Sequence, residues 1–176
     1  RGTWSEAGGF YSTRLIGPGY GATWAIYRTE VASFERNIEE DYWAAALQRT
    51  ETLGGEVVSS SLGYFTFDSG QHSYTYQDMN GNTAICSRAA KHAANLGIVV
   101  CNAMGNSGPS TGSITAPADA DSILSIGAVD TTGTIANFSS RGPTYDGRRK
   151  PEVCAKGVSD YWASTASRTS FGTASG

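Results

Sequence analysis

The sequence predicts an α/β fold built on a mainly parallel sheet. Short apolar runs, Ile98–Cys101 and Ser122–Val129 among them, read as strands. Two amphipathic segments, Glu39–Leu53 and Thr83–Leu96, are each long enough for about four helical turns. Strands that alternate with helices imply right-handed crossovers, and therefore parallel pairing.

The turn-rich Gly17-Pro18-Gly19-Tyr20-Gly21 precedes Ala22–Arg28, which reads as a first strand. Glu39–Leu53 reads as a helix because acidic residues fill its first turn and Gly54-Gly55 stands just past its end. Tyr42, Trp43, Ala46, Leu47 and Leu53 give it an apolar face. Glu56–Leu62 follows as a second strand. Tyr64–Asn82 is an aromatic, polar connection about twice the usual length, a kind of loop that more often carries function. Thr83–Leu96 is an Ala-rich helix closed by Gly97. Ile98–Cys101 has the continuous apolar pattern of a strand covered on both faces, and Ser122–Val129 is another. There is no internal repeat and no low-complexity tract.

Composition narrows the function. Charged residues make up 16% of the 176-residue chain, below the roughly 25% of ordinary domains. Gly, Ala, Ser and Thr fill nearly half of it. The net charge of -3 speaks against a nucleic-acid protein with a broad basic surface. No apolar run approaches the ~20 residues that cross a bilayer. The aromatic and aliphatic content argues against disorder. Cys86, Cys101 and Cys154 show no C-x-x-C spacing, so neither a zinc site nor a disulfide framework is indicated. Buried small hydrophobes are the favoured reading, with a Cys86–Cys101 bridge left open. Residue 1 is Arg, and Phe171–Gly176 shows neither a polar tail nor a helix stop, so the chain is expected to be a piece of a larger protein.

In open parallel sheets, ligand and catalytic groups gather at the carboxyl ends of the strands. Three such ends stand out: Ser61-Leu62-Gly63, Ala103-Met104-Gly105-Asn106, and the stretch from Ser113 to Pro117. Gly108-Pro109-Ser110-Thr111-Gly112 matches G-x-S-x-G, but that elbow needs a strand before it and a helix after it, and neither is expected here. Gly17–Gly21 precedes a strand, which is the wrong place for a dinucleotide loop. His72, in the long connection, and His92, beside Lys91, read as surface residues.

An ordered series carries more. It runs Arg1-Gly2-Thr3; Ser61-Leu62-Gly63; Ala103-Met104-Gly105-Asn106-Ser107-Gly108; Pro117 ahead of Ile126-Gly127-Ala128-Val129; Phe138-Ser139-Ser140-Arg141-Gly142-Pro143; Asp146-Gly147-Arg148 with Lys150-Pro151-Glu152-Val153; and Gly172-Thr173-Ala174-Ser175-Gly176. The series resembles the subtilisin-like serine proteases, whose patterns are H-G-T, S-L-G, A-x-G-N-x-G, a Pro before V-G-A-V, F-S-S-x-G-P, D-G-R-x-K-P-D-V and S-G-T-S. Each motif is weak alone; their common order is not.

The resemblance implies a three-layer α/β/α domain, truncated at both ends, that runs from the H-G-T position to just before the nucleophile serine. It implies a serine endopeptidase that acts through an acyl-enzyme on extended peptide or protein substrates. Asn106 falls where the family has its oxyanion-hole side chain, and a neutral amide donor suits a developing negative oxygen. Ser61, Leu62 and Gly63 on one side, and Ala103, Met104 and Gly105 on the other, take the places of the two edges that bind the substrate backbone. Thr115 takes a place near the pocket floor. Calcium is a cofactor that family members commonly bind, although no complete site is legible. Secretion or a cell-surface location is implied by the family alone.

The departures are as informative. Arg1 stands at the position of the catalytic His, and a guanidinium cannot take a proton from a serine hydroxyl. The triad Asp is expected ahead of residue 1 and the nucleophile two residues beyond Gly176. A second register makes Ser170 the nucleophile, at the cost of Arg168 and Gly172 in place of Gly and Ala. The alternative function is a catalytically dead domain of the same family used for binding.

Overall fold

A computed structural model describes residues 18–163 and 170–176. A four-stranded parallel sheet has the order β1-β2-β3-β4, with β1 at Val57–Ser60, β2 at Val99–Ala103, β3 at Leu124–Val129 and β4 at Val153–Lys156. Helices α1 (Ile38–Thr52) and α2 (Ile85–Asn95) pack against each other, and Trp43 Nε1 on α1 donates to Ser60 Oγ on β1 at 3.1 Å. An antiparallel hairpin of β5 (Asp160–Ala163) and β6 (Phe171–Ala174) completes the described elements.

Helix α1 starts where Glu39 bends back on its own first turn. The Glu39 carboxylate accepts the N–H groups of Val31 (2.7 Å) and Arg36 (2.9 Å). With Glu40 and Asp41 it also offsets the positive end of the helix. Gly54, at φ +72, ends the helix in the left-handed region. Its buried face is Glu39, Glu40, Trp43, Leu47 and Thr50. Tyr42 and Leu53, expected on that face, are exposed: the two glutamates take the inward positions of the first turn, and Leu53 lies past the last helical residue. Helix α2 buries Cys86, Ala90 and Ala93, spaced four and then three residues apart, as helical periodicity requires.

Three further expectations are corrected. Ala22–Arg28 pairs with no strand among the described residues, and Ile26 and Tyr27 stay exposed. The long connection from Tyr64 to Asn82 is core rather than site. Tyr64, Phe67, Tyr74 and Met79 are buried, and the hydroxyls of Tyr64 and Tyr74 donate to the carboxylates of Glu30 (2.5 Å) and Glu40 (2.7 Å). Burial and those carboxylates push both phenols well above their ordinary range. Strand β2 is fully covered on one face only, since on the other Val99 is exposed and Cys101 and Ala103 are half-buried. Cys86 is buried, Cys101 half-buried and Cys154 exposed, and no disulfide joins them.

Candidate functional site

A cleft of about 200 Å³ opens over the carboxyl ends of β1, β2 and β3. Ser61, Ala103, Met104, Gly105 and Asn106 line it, together with Gly176. A larger hollow of about 420 Å³ lies at the opposite ends of β2 and β3. Apolar residues dominate its wall and none of its lining residues is titratable, so it offers no chemistry.

The first edge of the cleft forms because two pairings stop and restart. The β1–β2 ladder ends at Ser60↔Asn102. Beyond a three-residue gap, Tyr64 and Ala116 exchange N–H···O bonds of 2.7 and 3.1 Å. Ser61-Leu62-Gly63 spans that gap, with Ser61 and Gly63 exposed and Leu62 half-buried. Beneath it Asn102 Nδ2 donates to the Leu62 carbonyl at 3.1 Å and to the Ala103 carbonyl at 2.8 Å.

The second edge continues β2. The Met104 N–H donates to the Ile126 carbonyl (3.0 Å), and the Met104 carbonyl accepts from both the N–H (3.4 Å) and the hydroxyl (3.3 Å) of Thr115. Gly105 sits at φ +104, and a Cβ there would lie 2.8 Å from Thr115 Oγ1 and 2.9 Å from Ser140 Oγ. Only glycine fits. A Cβ on Gly63 would also run into Thr115 Oγ1. Thr115 is therefore a buried wedge between the two edges and stands behind the lining rather than in it, while Leu62 is half-buried and Gly63 exposed at the rim.

Asn106 is exposed at the cleft, on a loop pinned from below. The Ser107 N–H donates to Ser140 Oγ (3.0 Å), the Ser140 N–H to the Gly105 carbonyl (2.9 Å), and the Gly108 N–H to the Phe138 carbonyl (2.8 Å). The chain after β6 approaches from the other side. The Gly176 N–H donates to the Gly157 carbonyl (3.0 Å), and Asn106 Nδ2 lies 3.6 Å from where a Cβ on Gly176 would sit. Ser170 precedes β6, at the end of the hairpin remote from Gly176, because Phe171 pairs with Ala163 while Ala174 pairs with Asp160. Arg1 lies outside the described residues. His72 and His92 are exposed and line no part of the cleft. The arrangement can hold an extended main chain between two backbone edges and present an amide donor beside it. Among the described lining residues there is no histidine or carboxylate to act as a base.

Sequence reasoning passed over Asn102, the Ser139-Ser140 pair and Gly176 as parts of this site. A polar residue inside the apolar run Val99–Ala103 was a readable sign of the first. The hydroxyl of Ser139 accepts the Ala128 N–H (3.0 Å), a tie that sequence does not reveal.

Glu30, Glu35 and Glu39 each bring a carboxylate oxygen within 4.8 Å of the others. They fit calcium poorly, because that ion takes roughly six to eight oxygens. Both oxygens of Glu39 already accept backbone N–H groups, and Glu30 accepts the Tyr64 hydroxyl. Burial first, and then the neighbouring charges of Glu39, Glu30 and Asp68, raise the Glu35 carboxyl above its ordinary value.

The family model described as the subtilase family matches residues 7–176. Serine protease AprX of Bacillus subtilis (strain 168) is 44% identical over 78 residues, which are 40% of this chain and 18% of that protein. Subtilisin DY of Bacillus licheniformis is 43% identical over 84 residues, 47% of this chain and 28% of that one. Among solved structures, Sphericase superposes with a TM-score of 0.55 at 26% identity, covering 78% of this chain and 44% of its own. The chain thus spans less than half the length of each of these relatives. A match that runs from residue 7 to residue 176 settles the kinship: the chain belongs to the subtilase family.

Proposed function

We propose that residues 1–176 form the substrate-binding and oxyanion-binding part of a serine endopeptidase. In this reading a serine two residues beyond Gly176 attacks the scissile carbonyl carbon, and a histidine takes its proton. The carbonyl oxygen, now negative, accepts from the Asn106 amide and a backbone N–H. The histidine then gives the proton to the leaving amine, and water hydrolyses the acyl-enzyme. The supporting observation is the approach of Gly176 to the Asn106 amide, over the carboxyl ends of parallel strands. It favours the register in which Gly176 leads to the nucleophile over the one that uses Ser170.

Extended peptides or proteins are the substrates, bound by backbone pairing along the two edges. Membership of the family implies action outside the cell or at its surface; no described helix is long and apolar enough to cross a membrane. One observation, Arg1 at the position of the catalytic His, favours a second reading: a dead domain that binds peptide without cutting it.

Extending the chain tests both. An Asp-bearing strand is added ahead of residue 1, Thr-Ser is added after Gly176, and Arg1→His is introduced. The product should cleave an extended peptide and react with a fluorophosphonate at the added serine. The 176-residue chain should do neither. Labelling of the unextended chain at Ser170 overturns the assignment. Cleavage by an extended chain that keeps Arg1 overturns the dead-domain reading, and peptide binding by that chain without cleavage favours it.

A further inference from the structure

We infer that Asn102 is a positioning residue for the substrate, tying the two peptide-binding edges of the cleft together from beneath; the inference rests on the endopeptidase reading above. Asn102 has no exposed surface and stands on β2 in an apolar run, where a hydrophobic residue is the ordinary occupant. Burying an amide there is unfavourable unless its polar atoms are paired. Its donors are well used. Nδ2 reaches the Leu62 carbonyl on one edge at 3.1 Å and the Ala103 carbonyl on the other at 2.8 Å. Its acceptor is not, since Oδ1 has no hydrogen-bond partner among the described residues. An orphaned buried acceptor lowers stability, so packing alone does not explain an asparagine here. The pair of donors does.

Peptide planarity turns those two bonds into orientation. The C=O and N–H of one peptide unit point in opposite directions. Drawing the Leu62 oxygen inward therefore turns the Gly63 N–H away from Asn102. At that point the β1–β2 ladder has already ended, at Ser60↔Asn102, so no strand pairing sets the plane. The Ala103–Met104 peptide is held at both ends, its oxygen by Asn102 and its N–H by the Ile126 carbonyl at 3.0 Å. One buried side chain thus sets the Leu62–Gly63 plane and braces it against the fully bonded Ala103–Met104 peptide of the other edge, so a substrate that pairs as an added strand meets a Gly63 N–H already aimed.

Asn102→Leu and Asn102→Asp, made in the intact protein that carries this chain, test the inference. Leu keeps the bulk without donors, and Asp keeps the shape without the Nδ2 hydrogens. For an extended peptide amide, KM should rise about tenfold in both variants while kcat moves far less. Calorimetric binding of the same peptide with a reduced, uncleavable central bond should weaken by the same factor. If one variant does not fold, the other carries the test. Unchanged affinity for the uncleavable peptide overturns the inference, as does a loss confined to kcat. If the unmodified protein cleaves nothing, the endopeptidase reading fails, and the uncleavable peptide still decides the role of Asn102.

Discussion

Asn106 Nδ2 and Gly176 face each other across the cleft, with 3.6 Å between the amide nitrogen and the place of a Cβ on the glycine. A Cβ at 176 would touch the donor at ordinary contact distance. The two are seventy residues apart in sequence, and two separate ties bring them together. Ser140 holds the loop beneath Asn106, and the Gly157 carbonyl holds the N–H of Gly176.

The close packing behind the second edge predicts the behaviour of Gly105→Ala. The residue is left-handed, and its Cβ would press on Thr115 and Ser140. The cost should be roughly 1–3 kcal/mol of strain, seen as a Tm several degrees lower. Gly133→Ala is the comparison, because Gly133 is also left-handed, at φ +83, but has open space around it. Thermal unfolding of the two should show the larger drop for Gly105→Ala; equal drops would mean that the edges are not packed as described.

Acid should unfold the chain partly through its turn carboxylates. The Arg148 guanidinium, 2.8 Å away, holds the Asp146 carboxyl below its ordinary value. The backbone N–H of Thr75 and the hydroxyl of Thr132 do the same for Asp78 and Asp130. A folded-state value below the unfolded one means stability that is present above the ordinary carboxylate range and lost as pH falls through the folded value. Asp119 has the opposite sign. Burial raises its carboxyl, so its favourable share is present at low pH and lost as pH rises through that raised value. Between about pH 5 and about pH 2.5 the Tm should fall, and it should fall less for Asp146→Asn than for the unmodified chain. Identical falls would remove Asp146 from the account.

Among the described residues, one face of the sheet is open. The first residues of the four strands, Val57, Val99, Leu124 and Val153, are 63%, 46%, 38% and 46% exposed. The pairings Val57↔Val99, Cys101↔Leu124 and Ile126↔Val153, with side chains alternating along each strand, set these four on a common face. The isolated 176-residue chain should bind a hydrophobic dye and self-associate, and Val99→Thr with Val153→Thr should weaken both. A monomer with a sharp, reversible melt and no dye binding would contradict this.

The parallel sheet was legible because Val99–Ala103 and Leu124–Val129 are dense apolar runs separated by turn residues, a local signal. The edges were legible only through ordered motifs, since nothing in the composition of Ser61-Leu62-Gly63 distinguishes it from a turn. Ala22–Arg28 misled because a turn-rich stretch followed by Trp, Ile and Tyr marks a strand only when a partner lies alongside. Tyr64–Asn82 misled because length alone does not reveal that its tyrosines bury themselves against Glu30 and Glu40. Asn102 and Ser140 act through contacts forty and thirty-three residues away in sequence, beyond any local pattern.

The most direct measurement is steady-state kinetics of Asn106→Leu in the extended, active protein on an extended peptide. The account predicts that kcat falls by about 10²–10³, a magnitude taken over from a relative in the same family, with a much smaller change in KM. The amide is aimed at charge that appears only in the transition state, so its loss costs little in the ground state. A kcat that barely moves while KM rises would make Asn106 a substrate-binding or turn residue, and would contradict the assignment of this cleft as an oxyanion site.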